Sequence, residues 1–125
     1  MSKELFERGR QIRGEVIGKE RSETAIADPN AFDYQFQELA LRYCWGEVWD
    51  RPGLDRKTRS IVNLAMLSEM GRSGELAGHI RGALTNGVSE DEIREIFLQV
   101  CIYAGVPLAG EAFKVAKETI AESKK

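Results

Sequence analysis

The sequence predicts an all-α protein, about six helices forming one compact domain over residues 1–125. Three observations predict it. Apolar residues recur at helical spacing in one segment after another, and no stretch alternates with period two between turn signals. Helix caps punctuate the chain, the clearest being the capping box Ser89-Glu90-Asp91-Glu92.

Each element follows from its own residues. From Lys3 to about Val16, Leu5, Gly9, Ile12 and Val16 share one stripe behind Ser2 as N-cap, and interior glycines make this a weak helix. Gly18 to Ala27 is polar, with no apolar period to bury, and reads as a loop. Asp28-Pro29 offers a cap and a first-turn proline to a second helix, whose Phe32, Phe36, Leu39, Ala40 and Tyr43 predict a buried aromatic face. Gly46 and Pro52-Gly53 then predict a short helical turn between two bends. Asp55 is placed to cap a third helix whose body, Ile61 to Leu67, is apolar nearly all round and therefore central or at a subunit interface. Gly71 ends it and Ser73 is the expected cap of a fourth, which carries Leu76, Ile80, Ala83 and Leu84 inward up to Asn86-Gly87. Behind the capping box, Ile93, Ile96, Phe97, Val100, Cys101 and Ala104 mark a fifth helix, stopped by Gly105 and Pro107. Leu108, Ala112, Val115, Ala116 and Ile120 mark a sixth, with Glu122 to Lys125 fraying.

Composition narrows the function. Hydrophobic residues make up 42% and charged residues 30%, a globular balance, and a net charge of -2 gives no basic face for nucleic acid. No apolar run approaches bilayer length and the first residues lack the apolar core of a signal peptide, so no membrane partner is expected and the location reads as cytoplasmic. Cys44 and Cys101 lie far apart among apolar neighbours and read as buried, reduced thiols. With one histidine, no cysteine pair at ligand spacing and no phosphate or dinucleotide loop, neither a metal nor a cofactor is expected.

Chemistry concentrates in two places. Cys44-Trp45-Gly46-Glu47-Val48-Trp49 joins both tryptophans to a carboxylate, and His79 sits on the inward side of the fourth helix between Leu76 and Ala83. An imidazole exchanges protons near neutrality, and a glutamate partly desolvated between two indoles would hold a proton unusually well. The residues alone leave a second reading open, in which Glu47 is a surface glutamate above packed indoles and His79 is a hydrogen-bonded packing residue. Arg56, Lys57 and Arg59 bring positive charge to a helix start that already favours anions, unless they only form a solvated, ion-paired face. Arg81 projects from a different face than His79 and suits a pocket rim or another subunit. Tyr103 offers a phenol to a ligand or caps a core.

Four segments resemble the carboxymuconolactone decarboxylase family: Tyr43 to Trp49, Arg51-Pro52-Gly53-Leu54-Asp55-Arg56-Lys57-Thr58-Arg59-Ser60, His79 to Val88, and Tyr103-Ala104-Gly105-Val106-Pro107. The likeness runs from about Phe36 to Val115, and the tryptophan stretch is its specific part. Related alkylhydroperoxidase-like proteins use Cys-x-x-Cys followed by three residues and a histidine. Here Arg72 and Glu75 stand at those cysteine positions, which removes a thiol-peroxidase reading. The resemblance implies an alkylhydroperoxidase-like helical fold and a homo-oligomer, hexamer or trimer. It also implies cofactor-free decarboxylation of an anionic lactone, 4-carboxymuconolactone, to 3-oxoadipate enol-lactone in protocatechuate breakdown by the β-ketoadipate route. On that reading Arg59 and Arg81 hold anionic groups, Trp45 and Trp49 form a dry wall, Tyr103 contributes to the substrate site, and His79 with Glu47 deliver the proton and stabilise the oxyanion. A relative acting on a different small lactone or acid, and a non-catalytic helical oligomer that binds anions, are the alternatives.

Overall fold

A computed structural model of the chain describes residues 2–125. They form helices α1 (Ser2–Ile17), α2 (Lys19–Thr24), α3 (Tyr34–Leu39), a π-helix (Ala40–Val48), α4 (Arg56–Glu69), α5 (Ser73–Thr85), α6 (Glu90–Ala104) and α7 (Val106–Ser123). No strand occurs among the described residues, and among them no helix is long and apolar enough to cross a membrane. The expected Ser2 cap falls on a side chain outside the described residues. Two compact units divide the chain, residues 1–54 and 55–125.

In the first unit α1 packs along the π-helix, burying Ile12, Val16, Leu41, Trp45 and Trp49 in one cluster. Glycine makes the approach possible. A Cβ on Gly9 would lie 1.8 Å from the Leu41 carbonyl oxygen, and one on Gly46 would lie 2.3 Å from the Leu5 carbonyl oxygen.

Three sequence expectations change here. Residues Lys19–Thr24 are helical rather than loop, because their anchor is polar and leaves no apolar period to read. Arg13, 5% exposed, donates from Nε to Ser22 Oγ (2.7 Å), from Nη2 to the Ser22 carbonyl (2.9 Å) and from Nη1 to Gln37 Oε1 (2.7 Å). Arg10 forks onto the Glu23 carboxylate at 2.6 to 3.0 Å. Second, the aromatic stripe is not buried: Phe32, Phe36, Leu39 and Tyr43 are all exposed, and a regular α-helix begins only at Tyr34. Third, Gly46 does not break the chain, because the π-helix runs through it with backbone bonds one residue longer than α, such as Trp49 N–H to the Cys44 carbonyl at 3.0 Å.

The second unit follows its local signals more closely. Asp55 Oδ1 accepts the Thr58 N–H at 2.8 Å, capping α4. The capping box at Ser89 forms in both directions, Glu92 N–H to Ser89 Oγ at 3.0 Å and Ser89 N–H to Glu92 Oε1 at 2.9 Å. Gly71, Gly87 and Gly105 each take positive φ where a helix ends. One correction concerns Ser73, which does not cap α5: Arg72 holds that position, and the Ser73 hydroxyl donates to Glu111 on α7. The core joins Leu64 of α4, Leu76, Ile80 and Ala83 of α5, Ile93, Phe97 and Val100 of α6, and Ala112 and Ala116 of α7. Phe97 meets Phe113 edge to face at 5.8 Å. The apolar body of α4 is divided, since Leu64 is fully buried whereas Val62 and Met66 are exposed.

Candidate functional site

Trp45 on the inner side of the π-helix and Trp49 just after its end are stacked at 4.8 Å between ring centroids with 23° between planes, and each is 6% exposed. Glu47, between them in sequence, points the other way. Its side chain is 51% exposed and pairs with Arg51, one turn on, at 3.6 Å. The expected desolvation of this carboxylate between two indoles is therefore corrected: the indoles face each other, not Glu47. Arg8 of α1 binds Asp50 at 2.7 Å and fastens the end of this segment to the unit. Cys44 is also corrected. It is exposed as a residue and Cys101 is half-buried, both are free thiols, and partial burial pushes the Cys44 thiol above its ordinary pKa against the opposing charge of Arg13.

His79 is half-buried on α5. Its Nδ1 lies 3.3 Å from the Asn63 side-chain amide nitrogen on α4. Burial pushes the imidazole below its ordinary pKa, and the Glu75 charge one turn earlier only partly restores it. That shift favours the neutral ring. A half-buried neutral imidazole serves as a hydrogen-bond donor to a bound anion without contributing a charge of its own.

The two arginines flank this arrangement in sequence. Arg59 stands one turn before Asn63 on α4, Arg81 stands two residues after His79, and both bury their Nε atoms. The Arg81 guanidinium lies beside Gly78, its Nη2 3.7 Å from where a Cβ would stand, an ordinary van der Waals distance. Of the other cations at the start of α4, Lys57 is engaged by Glu92 at 3.2 Å.

Tyr103 lies elsewhere in the same unit. It is 86% exposed and lines a groove of about 450 Å³ between α4 and α6, with Ile61, Val62, Ala65, Met66 and Val100. His79, Arg59 and Arg81 do not line that groove. Within residues 55–125, α4 and α5 thus bring Asn63 to His79, while Tyr103 belongs to the α4/α6 face. Glu47, Trp45 and Trp49 belong to residues 1–54. Among the described residues no group of three or more His, Cys, Asp or Glu side chains is clustered to hold a metal ion.

Sequence reasoning missed Asn63. Its signal was available: it is the one polar side chain in the run Ile61-Val62-Asn63-Leu64-Ala65-Met66-Leu67.

The sequence pattern of the carboxymuconolactone decarboxylase family matches residues 34–118, from α3 into α7. The chain belongs to this family. Among similar proteins, the 4-carboxymuconolactone decarboxylase of Acinetobacter baylyi is 41% identical over 113 residues, covering 90% of this chain and 84% of that one. The nitrosuccinic acid decarboxylase of Metarhizium robertsii is 42% identical over 120 residues, covering 96% of this chain and 84% of that one. An uncharacterised 15.0 kDa protein of Paracoccus denitrificans is 31% identical over 84 residues, covering 66% and 63%. The family pattern thus takes in His79, both arginines and the tryptophan stretch, whereas α1 and α2 precede it.

Proposed function

We propose that this chain is a cofactor-independent carboxy-lyase that converts 4-carboxymuconolactone to 3-oxoadipate enol-lactone. The observation that carries the reading is the 41% identity, over nine-tenths of the chain, to a protein named for that reaction. The chemistry suits a site without a resident cofactor. The departing carboxylate is vinylogous to the lactone carbonyl. When the carbon–carboxylate bond breaks, its electron pair moves through the ring double bond onto the carbonyl oxygen as a dienolate. Carbon dioxide leaves, and a proton is added to the ring carbon beside the carbonyl. The protein's task is to hold the remaining acetate carboxylate, keep the departing one poorly solvated and stabilise the developing oxyanion.

Arg59 and Arg81 are assigned to the anionic groups, supported by their partly buried positions on α4 and α5. His79 is assigned to the oxyanion, supported by its half-buried position and by the burial that favours its neutral ring. Glu47 as proton donor, Trp45 and Trp49 as apolar wall and Tyr103 as a substrate contact rest on the family resemblance of their segments. A small-acid decarboxylase of this kind acts in the cytoplasm on a soluble metabolite.

A second reading has a specific observation behind it, the 42% identity to a nitrosuccinic acid decarboxylase. A nitro group beside the departing carboxylate is an electron sink of the same kind, and succinic acid carries a second carboxylate, so the same arginine and imidazole functions apply.

Purified protein is incubated with each acid in turn, and carbon dioxide and product are followed. The lactone is expected to turn over, with kcat falling about 10²–10³-fold in His79→Ala, the usual loss on removing an oxyanion donor. Folded wild-type protein that leaves the lactone intact refutes the first reading, and turnover of nitrosuccinic acid alone establishes the second. Full activity in Glu47→Gln removes the glutamate from the mechanism.

We also propose that the chain works as a homo-oligomer, hexamer or trimer. Exposed Val62 and Met66 on α4 and Leu98, Ile102 and Tyr103 on α6 support this, since such side chains are costly to leave in water.

A further inference from the structure

Asn63 and His79 are sixteen residues apart and meet where α4 packs on α5, the Asn63 amide nitrogen 3.3 Å from Nδ1 of the ring. With the amide nitrogen turned to the ring, the NH₂ donates and pairs with a ring nitrogen that presents its lone pair. In a neutral imidazole the single N–H is then at Nε2. Burial favours that neutral ring over the imidazolium, and Glu75 on the same helix opposes it only in part.

We propose that Asn63 is a positioning residue that fixes His79 as the Nε2-protonated imidazole, so that the ring meets the substrate as a hydrogen-bond donor to the developing oxyanion and not as a general base. This rests on the reading of His79 as an oxyanion partner given above. The tautomer decides the sign of the interaction. With the proton at Nε2 the ring stabilises negative charge accumulating on the carbonyl oxygen; with the proton at Nδ1 it turns a lone pair toward that charge and repels it. No bond to the ring is made or broken in this role, and the proton that completes the product comes from another acid. The neighbourhood agrees with the assignment. Arg59 lies one turn from Asn63 on α4 and Arg81 lies two residues after His79 on α5, so cationic donors flank the pair in sequence, while the Glu75 carboxylate stands one turn before the ring.

The test uses the full chain and its single histidine, which gives a long-range proton–nitrogen NMR spectrum containing one ring. In ¹⁵N-labelled wild-type protein at neutral pH, Nδ1 is expected to show the shift of an unprotonated nitrogen and Nε2 that of a protonated one. Asn63→Asp replaces the donor by an acceptor of the same shape and is expected to move the proton onto Nδ1, with kcat reduced about 10²-fold and KM little changed. Asn63→Leu is expected to give a tautomer mixture and an intermediate loss. Should the leucine variant fail to fold, the isosteric aspartate variant and the wild-type spectrum still decide. A wild-type ring protonated at Nδ1 or at both nitrogens overturns the proposal, as does an unchanged ring spectrum in Asn63→Asp. Retained turnover in His79→Ala overturns instead the reading it rests on, and the tautomer measured in the wild type separates the two failures.

Discussion

Replacing Gly9 by alanine adds one methyl group at the closest approach of α1 to the π-helix. The new Cβ would lie 1.8 Å from the Leu41 carbonyl oxygen, 2.7 Å from its carbon and 2.9 Å from the Gly46 nitrogen. All three are backbone atoms, so no side chain can swing aside. Restoring ordinary contact requires the helices to part by roughly 1.5 Å, and a gap well below that already forfeits much of a dispersion contact. The contacts at risk are those of Ile12, Val16, Leu41 and Trp45, all buried at this crossing. Overpacking of this kind costs about 3 kcal/mol, at the upper end of the usual range, and alanine returns about 1 kcal/mol of helix propensity. The expected net loss is about 2 kcal/mol, roughly a 30-fold shift toward the unfolded state.

The assay is urea unfolding at fixed protein concentration, followed by tryptophan fluorescence. Both tryptophans lie in or next to the π-helix, stacked and buried, so the signal belongs to residues 1–54. With an m-value of about 2 kcal/mol/M the midpoint drops by about 1 M. Gly14→Ala on the same helix is the control: its Cβ would meet nothing closer than Lys19 Cα at 3.6 Å, so it should gain about 0.5–1 kcal/mol. Gly46→Ala should behave like Gly9→Ala, and the double variant should lose less than the sum, because both methyls force apart one crossing. A Gly9→Ala midpoint equal to or above the wild type would refute the reasoning.

Two further outcomes follow from the structure. Arg13→Met removes a buried guanidinium and leaves Ser22 Oγ, the Ser22 carbonyl and Gln37 Oε1 without the donor that binds them; at about 1–3 kcal/mol for a stranded buried polar group, the fluorescence midpoint should fall by about 1 M or more, and an unchanged midpoint would show that water replaces the arginine without cost. Light scattering should give a mass that is a multiple of 14.0 kDa, reduced in Ile102→Arg because a charge is placed on the exposed apolar side of α6, whereas a wild-type mass of one chain would dispose of the homo-oligomer.

The second unit was legible because its boundaries are chemical and local. Asp55, Ser89 with Glu92, and the glycines at 71, 87 and 105 each act within a few residues of themselves, and a cap is recognised from its own neighbours. The first unit hides its logic in contacts between segments. The polar run Lys19–Thr24 lacks an apolar period because Arg13 anchors it through Ser22, and no pattern inside the run reveals that partner. The aromatic run Phe32 to Tyr43 kept a helical period and still faces outward, since period shows which residues share a face but not whether anything covers it. At the candidate site, His79 was found because it is the single imidazole, while its contact with Asn63 depends on how α4 lies on α5.

The π-helix identifies a signal that was present in the sequence after all. Leu41, Trp45 and Trp49 are the buried large apolar side chains of this segment, at a constant spacing of four. On an α-helix each step of four rotates the next residue by about 40°, so three in a row drift off a single face, and a buried stripe alternates threes and fours. A helix with hydrogen bonds one residue longer turns less per residue and keeps a spacing of four nearly in line. The two indoles stack on one side of this segment, and Glu47, two residues from each, faces the other. The wide turn also exposes backbone, and that exposure is met by glycine on both sides: Gly46 admits the Leu5 carbonyl, and Gly9 lies against the Leu41 carbonyl and the Gly46 nitrogen. Leucine, tryptophan and tryptophan every four residues, with a glycine beside the middle one and a second glycine on the facing helix, is the pattern that encodes this segment.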